Sequence, residues 1–532
     1  MQHTVRPDAP ALREAQPVRR KSGLVRTAGG FDAFVFSLAG ISVGIMFSWS
    51  TLYGTGFYPG ANPYVALVIS VAAALVIAWA YGYWGQIFPR TGGDYVFLSR
   101  GTHPGLALGV NFVYCWILMV SPAFAMSIMQ PLVSSFTSTI GLGGLADWFA
   151  TDTGFAVIGT TTLLVASGVA LFGLKPAIQY MKVLFLVGLA GQLILIVALL
   201  FSHTSTFVSH LEAQTGLTVA KIQSTAVGGG FAHGGFDLRQ TLNLTNWFVT
   251  SLFFAALVVY IGGEVKNAAK NIRYAMLAAV GFSGLATAVW LLAYLSVVPA
   301  KLQGALAWNA FVSPEASTAQ LPYPHELMAI LWGTSGGGLI LTLIAYVALL
   351  AWVTLWTPLV LSFTQRAVLA WSLDGLMPRW VGSVNERWHT PVPALIIAFL
   401  MGESFMLAFA LDPGFRTIIL LVPLFVGIGL TMLVGIFFPY VRKDLIRQST
   451  IADAKLFGIH RMSLTCGAGF IIMAVWAYLM WNDATASGTD RTPIWVTIGI
   501  VVAIALYYVG LREVKRRRGE DITVTFKRIP VE

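Results

Sequence analysis

Two apolar stretches decide the fold: SLAGISVGIMF at residues 37–47 and VVYIGGEVKN at residues 258–267. Each carries paired glycines inside what would otherwise be a continuous membrane helix, Gly40 with Gly44 in the first and Gly262 with Gly263 in the second. Lipid offers no hydrogen-bond partners, so backbone released from a helix at membrane depth is stable only inside the protein or beside a cavity. Interrupted spans at matching places in the two halves of a chain indicate a transporter binding site.

The composition is that of a protein embedded in a membrane. Of 532 residues, 57% are hydrophobic and only 11% are charged, and the mean hydropathy is +0.75. A membrane-spanning helix needs roughly 20 apolar residues, and reading the chain with that window predicts twelve spans. Their expected limits are 32–57, 63–88, 105–132, 154–172, 180–201, 247–265, 274–298, 327–361, 392–411, 417–440, 464–481 and 493–511.

The basic residues orient the predicted spans. Under this division 28 of the 33 Lys and Arg residues fall in the tails and connections on one side. Cytoplasmic segments carry such an excess, so both termini are predicted to be cytoplasmic, in a multi-pass protein of the plasma membrane. The net charge of +10 lies beside apolar spans, where it meets anionic lipid headgroups, and this placement argues against nucleic acid as a partner.

Two smaller features add expectations of their own. The first thirty residues lack the apolar core of a cleavable signal, so the first span is expected to insert the chain. Cys115 and Cys466 fall inside predicted spans without metal-like spacing. They are therefore expected to be small buried apolar residues with no redox role.

The order of the spans predicts an inverted repeat followed by two peripheral helices. Spans one to five and six to ten have equal numbers of segments, and an odd number of crossings makes the second set run opposite to the first. The expected organisation is an N-terminal cytoplasmic tail (1–30), a first repeat (31–202), an extracellular loop (203–245), a second repeat (246–440), spans eleven and twelve (441–511) and a cytoplasmic C-terminal tail (512–532). The loop contains GGGFAHGGF at residues 228–236 and is either a lid or a tolerated surface insertion.

Three blocks resemble the superfamily of amino acid, polyamine and organocation (APC) permeases. They are FPRTGGDYVFLSR at residues 88–100, GGEVKNAAKNIRYAM at residues 262–276 and QRAVLAWSLDGLMPRWVGSVNERWHTPVPA at residues 365–394. The resemblance covers about the whole membrane region, residues 30–511. It implies the all-α, five-plus-five inverted repeat of the leucine-transporter fold, with discontinuous first and sixth helices. It also implies uptake or exchange of amino acids or related amines.

The residues at the two breaks suggest how such a substrate is held. Unwinding of the first span exposes amides at the positive end of the outer half-helix, which favours a carboxylate; the residues concerned are Gly40, Ile41, Ser42, Val43 and Gly44. Unwinding of the sixth span frees carbonyls that suit an ammonium group; the residues concerned are Tyr260, Ile261, Gly262 and Gly263. An α-amino acid would bridge the two. Alternatively, the glycines only let the helices approach closely.

The end of the sixth span holds candidates for gating and coupling. The resemblance implies that Tyr260 is an aromatic gate over the substrate, and the alternative is an ordinary packed aromatic residue. The chain departs from the family at Gly263, where a bulky aromatic residue is common, and this leaves the substrate class open. Glu264 either binds a coupling proton in apolar surroundings or pairs with Lys266 or Lys270 and anchors the helix end.

The coupling ion stays open between sodium, proton and simple exchange. Some proton-driven relatives carry a lysine in the middle of the fifth span, but Leu186 stands there in this chain and Lys182 lies near the cytoplasmic start. Thr354 and Thr357 are candidate sodium ligands on the eighth span, although a helical Thr more often bonds its own backbone. No cofactor and no resident metal site are predicted.

The remaining candidates lie near the pathway or the inner side. Tyr114 and Trp116 either line the pathway or simply pack, and Arg90 and Asp94 are expected to help close the inner side by pairing with loop charges. The favoured function is a secondary transporter, and the alternative is a transporter-like ligand sensor without net flux. An enzyme is disfavoured because no nucleophile motif or metal spacing is present. The oligomeric state is not predicted.

Overall fold

The protein is an all-α membrane protein, described here from a computed structural model. The structure describes residues 22–232, 234–312, 323–412, 415, 421–447, 449, 453–483, 485 and 491–527. Most of the predicted N-terminal tail lies outside these residues. Among the described residues, eleven helices are long and apolar enough to cross a membrane, and the expected first span is divided into two shorter helices.

The described residues form twenty-one α-helices. They are α1 Gly30–Ile41, α2 Val43–Gly56, α3 Pro63–Ile87, α4 Gly93–Gly101, α5 Pro104–Thr139, α6 Gly143–Phe149, α7 Asp152–Leu171, α8 Leu174–Leu200, α9 Thr204–Thr215, α10 Val219–Gly228, α11 Leu238–Phe253, α12 Ala268–Val297, α13 Ala300–Phe311, α14 Pro324–Trp332, α15 Gly336–Thr354, α16 Trp356–Leu373, α17 Val392–Leu411, α18 Leu421–Val441, α19 Lys443–Ile446, α20 Arg461–Asn482 and α21 Thr492–Arg517. Short 3-10 helices cover Phe254–Tyr260, Gly262–Glu264, Arg379–Gly382 and Ile522–Lys527, and two-residue strands β1 Lys455–Leu456 and β2 Ile459–His460 pair antiparallel.

Local chemistry explains where several helices begin. The Asp32 carboxylate accepts the backbone N–H of Gly29 at 2.6 Å, at the start of α1. The Asn62 side chain accepts backbone N–H groups at the start of α3, where proline occupies the first helical position. Asp237 accepts the N–H of Gln240 at 2.9 Å and so starts α11.

Two predicted boundaries are wrong. The eighth span was expected at 327–361, but α14 ends at Trp332 and a separate long helical stretch runs from Gly336 to Leu373. The reason is the GTSGGG turn, in which Gly333 and Gly336 adopt positive φ. The loop expected at 203–245 is largely helical, because it contains α9 and α10 and the first turns of α11.

The packing brings the two broken spans to the centre of the bundle. Helix α1 packs against α12 and against the 3-10 helix Phe254–Tyr260, while α11 packs against α3. An inverted repeat exchanges the α1–α12 pair with the α11–α3 pair, so these contacts support the repeat, which stays a prediction. Helix α20 packs against α18 and α3, and α21 packs mainly against α5 at the edge of the bundle.

Candidate functional site

The first span is interrupted at Ser42, within the predicted interval. Helix α1 ends at Ile41, Ser42 adopts a left-handed conformation with φ of 47°, and α2 begins at Val43. A left-handed residue other than glycine is uncommon and needs support from its surroundings. The Ser42 hydroxyl donates to the carbonyl of Trp352 in α15 at 3.3 Å, which ties the junction to the eighth span.

The two glycines beside this junction lie against other chain segments. A Cβ added at Gly40 would collide with the carbonyl oxygen of Phe254 in the 3-10 helix. A Cβ added at Gly44 would collide with the Cβ of Trp352, and one at Gly188 would lie 2.9 Å from the same indole ring. Both features that the sequence offered as alternatives are therefore present at the first glycine pair. The helix breaks between Gly40 and Gly44, and each glycine also allows another segment to pack closely.

The sixth span changes conformation earlier than predicted. Helix α11 ends at Phe253, and residues Phe254–Tyr260 continue as a 3-10 helix. A 3-10 run of this length inside a span is unusual and often marks a functional hinge. The segment FFAALVV carries no glycine or proline, so the sequence offers no local signal for this change.

Two of the four carbonyls predicted to accept an ammonium group take part in backbone hydrogen bonds. The Tyr260 carbonyl accepts the N–H of Gly92 at 3.3 Å, and the Ile261 carbonyl accepts the N–H of Glu264 at 2.9 Å. A Cβ at Gly262 would lie 2.9 Å from the carbonyl oxygen of Arg90. The backbone around Gly262 is therefore part of a closed structure rather than a free lining.

The two glycine pairs lie at different levels along the bundle. Phe254 contacts Gly40, whereas the Glu264 carbonyl accepts the N–H of Ala28 at 3.0 Å, below the start of α1. With a rise of 1.5 Å per helical residue, the length of α1 up to Gly40 separates these levels by about 15 Å. Phe254 is the residue of the sixth span that lies level with the first break. Gly262 and Gly263 lie near the start of α1.

Here the inner side means the end of the bundle that carries the start of α1. Tyr260 belongs to this side. Its ring lies 3.9 Å, centroid to centroid, from that of Phe363, and a Cβ added at Gly93 would lie 2.5 Å from it. Its hydroxyl accepts a hydrogen bond from the Asn111 amide at 2.6 Å. With no exposed surface, Tyr260 is packed into the inner closure, and its role as a gate stays a prediction.

Glu264 forms a buried ion pair with Arg366 of α16. The guanidinium donates to the two carboxylate oxygens at 2.8 and 3.3 Å, and both side chains are almost fully buried. The sequence predicted that Glu264 would pair with Lys266 or Lys270. The partner in the structure is Arg366 instead. This geometry supports the anchoring alternative for Glu264.

Two further ion pairs lie at the same end. Arg100 of α4 donates to both oxygens of Asp374 at 2.6 and 3.0 Å, and the Tyr95 hydroxyl donates to the same carboxylate at 2.8 Å. Lys182 of α8 pairs with Asp32 of α1. These pairs join α4 to the end of α16 and α8 to α1 at the inner side.

The remaining predicted residues lie in ordinary packing environments. The Thr354 hydroxyl bonds the Leu350 carbonyl of its own helix at 2.7 Å. Trp116 lies 6.2 Å from Phe405 of α17, centroid to centroid, and therefore packs against that helix. Tyr114 packs against Gly427 of α18, and Thr357 is buried near the start of α16.

An apolar cavity adjoins the first break on the side of α14. It is enclosed by α2, α8, α12, α14 and α15, and its lining includes Phe47, Trp290, Met328 and Trp352. The predicted site residues are not in its lining as far as the chain is described. Trp352 connects the cavity to the junction, because its carbonyl holds Ser42 while its side chain fills the space beside Gly44. Sequence reasoning missed Trp352, since only the packing places it there.

Comparison with known proteins gives the family. The family model for amino acid permeases matches residues 32–522, which is nearly the whole chain. The comparison with curated proteins found no match. The match agrees with the three blocks of sequence and with the broken first span. The chain therefore belongs to the amino acid permease family and is a multi-pass membrane protein that transports amino acids.

Proposed function

We propose that the protein is a secondary transporter that binds its substrate at the junction of α1 and α2, opposite the start of the 3-10 helix Phe254–Tyr260. The observation that carries this proposal is the contact between the two interrupted spans at Gly40 and Phe254. Interrupted helices at the centre of a bundle are where transporters of this architecture bind their substrates. The family match supports amino acid transport, and nothing among the described residues supports the alternative of a sensor.

The chemistry of the junction suits a zwitterion. The first turn of α2 begins at Val43 and presents the positive end of a helix dipole, which favours the substrate carboxylate. At Phe254 the sixth span passes from α-helix to 3-10 helix, whose hydrogen-bond geometry is poorer, and the carbonyls at this transition are the candidates to accept the ammonium group. The substrate is therefore an α-amino acid or a related amine bound between the start of α2 and this transition.

The cycle follows from what closes each side of the junction. On the inner side, the buried pairs Glu264–Arg366 and Arg100–Asp374 must separate before the substrate can leave. On the other side, Trp352 stands between the junction and the apolar cavity. Movement of Trp352 and separation of the ion pairs, in alternation, would give alternating access across the plasma membrane, by ion-coupled symport or by exchange.

Uptake into proteoliposomes tests the function. The purified protein is reconstituted, and radiolabelled amino acids and amines are offered under a sodium gradient, a proton gradient, or neither with unlabelled substrate inside. Accumulation under one gradient identifies symport, and uptake only with internal substrate identifies exchange. If no amino acid or amine enters under any condition while the reconstituted protein is folded, the proposal is wrong.

A further inference from the structure

Asp94 is a buried acid that the transport scheme so far does not use. It lies in the first turn of α4 and is 3% exposed. Its carboxylate accepts the Tyr81 hydroxyl of α3 at 2.7 Å and the Thr431 hydroxyl of α18 at 2.8 Å. The Tyr260 hydroxyl donates a third hydrogen bond. One carboxyl group thus connects α4 to three other segments of the inner side.

The Tyr260 hydroxyl is the last member of a chain of hydrogen bonds that begins at Trp371 and leads to Asp94. The Trp371 indole N–H donates to the Asn111 carbonyl oxygen at 2.9 Å, and the Asn111 amide donates to the Tyr260 hydroxyl at 2.6 Å. Because that hydroxyl accepts from Asn111, its own proton is directed to Asp94. The chain therefore favours an ionised Asp94, which can accept but not donate.

No cation pairs with Asp94 among the described residues. The inner cations Arg100, Arg366 and Lys182 are engaged by other acids, and the expectation that Asp94 would pair with a loop charge is wrong. Burial of a carboxylate without a cation disfavours its charged form. Burial accordingly raises the pKa of the Asp94 carboxyl, while the hydrogen bonds from Tyr81, Thr431 and Tyr260 oppose this effect.

Among the described groups around Asp94, no other carboxyl group is left without a basic partner. The titratable neighbours are the hydroxyls of Tyr81 from α3, Tyr260 from the 3-10 helix and Tyr114 from α5. Helix α18 contributes Thr431, which does not titrate. Helix α16 contributes Asp374, which is held by Arg100 and Tyr95, and the C-terminal 3-10 helix contributes the Phe526 ring over Arg100.

We propose that Asp94 is a proton-binding site whose protonation loosens the inner closure of the transporter. A carboxylate offers about four lone-pair sites, and the three hydroxyls and the backbone N–H of Asp94 itself already use them. An added proton competes with these donors and so weakens the ties to α3, α18 and the 3-10 helix. The ligand is the proton itself. This inference rests on the proposed alternating-access function, because opening of the inner side is the step that it controls.

Proton binding is measured first without any substrate. Purified protein is titrated with a pH-indicator dye, and D94N should bind about one proton fewer per chain than the wild type, because a carboxyl group binds one proton. The control is E403Q, which removes the α17 acid that accepts the Thr160 hydroxyl at 2.6 Å. Among the described residues, Glu403 is not one of the groups around Asp94, so E403Q should leave the pH midpoint of the exchange measurement below at its wild-type value.

The second measurement is the pH dependence of exchange between labelled and unlabelled substrate in proteoliposomes. We expect wild-type exchange to slow about tenfold as Asp94 ionises, and D94N, which mimics the protonated acid, to stay fast at every pH. Y81F and T431V keep the acid but remove one donor to its charged form, so their pH midpoints should move upward by up to about one unit.

Each result decides the proposal. An unchanged proton count and an unchanged pH profile in D94N would overturn it. If D94N does not fold, unshifted midpoints in both Y81F and T431V would overturn it as well. The dye titration needs no substrate, so a protein that binds the Asp94 proton but transports no amino acid would contradict the proposed function and leave the proton site standing.

Discussion

Gly40 of α1 packs directly against the backbone carbonyl of Phe254, the first residue of the 3-10 part of the sixth span. Only a residue without a Cβ allows this approach. The contact fixes the depth at which the two interrupted spans meet, and it separates that level from the inner closure around Glu264. The substrate site proposed above depends on this contact.

Gly40→Ala should therefore disrupt the site. The added methyl group collides with the Phe254 carbonyl, and overpacking of this kind costs about 1–3 kcal/mol. We expect uptake to fall at least tenfold, with partial loss of thermal stability measured in detergent. Gly281→Ala is the matched control in α12, because a Cβ there meets no atom within 4 Å. Equal loss of uptake in both variants would argue against a specific role for the Gly40–Phe254 contact.

Ser42→Ala should weaken substrate binding with less effect on folding. The substitution leaves the Trp352 carbonyl without its donor, at a cost of about 1–3 kcal/mol. If this cost falls on the substrate-binding state, KM rises by roughly fivefold or more. The control is Ser404→Ala, whose hydroxyl bonds only the Leu400 carbonyl on an exposed face of α17. A KM unchanged in Ser42→Ala would show that the junction does not contact the substrate.

Glu264→Ala should destabilise the inner closure. Removal of the carboxylate leaves Arg366 as a buried unpaired charge, which costs about 3–5 kcal/mol. We expect a lower unfolding temperature and faster labelling of a cysteine that replaces the buried Ser362, one turn before Arg366 in α16. The double variant E264Q/R366Q should recover much of the lost stability, because no unpaired charge remains. Additive losses in the double variant would mean that the two residues act independently.

Much of this fold is predictable because membrane spans have a strong signal. Long apolar windows predict most of the spans, and the glycine pair around Ser42 predicts the first break. The eighth span was misplaced because α14 is itself apolar and runs close to α15, so that only the GTSGGG turn separates them. Helices α9 and α10 were missed because they are short and lie in a segment rich in polar residues and glycine.

The site was only partly predictable. Glycines indicate where a helix is free to break, but the change at Phe254 occurs in a run of good membrane residues, so tertiary packing decides it. The same limit applies to Trp352 and to the Asp94 cluster, whose members come from four separate segments. The Glu264 partner, Arg366, lies about a hundred residues away in the chain, and no local pattern identifies it.

Acid should stabilise the short helix α14. The Glu326 side chain accepts the Tyr323 N–H at 3.1 Å, and burial raises the pKa of Glu326 from 4.5 to about 7. The folded chain therefore holds a proton that the unfolded chain releases between these values, so this contribution is complete below pH 4.5 and is lost as the pH rises through about 7. The upper limit of the effect is roughly 3 kcal/mol.

Thermal unfolding at pH 5 and pH 8 measures this effect. We expect a higher unfolding temperature at pH 5, and Glu326→Gln should reduce the difference because glutamine stays neutral at both pH values. Glu513→Gln is the control, since Glu513 is an exposed acid that forms ion pairs on α21. The assignment to Glu326 fails if its glutamine variant keeps the wild-type difference between the two pH values.

An experimental structure with a transported amino acid bound tests the central claim most directly. The account predicts that the substrate carboxylate lies at the first turn of α2, beside Val43, and that the ammonium group lies at the end of α11, beside Phe253. A substrate found instead beside Tyr260 and Gly262, or against helices that run unbroken through Ser42, would contradict it.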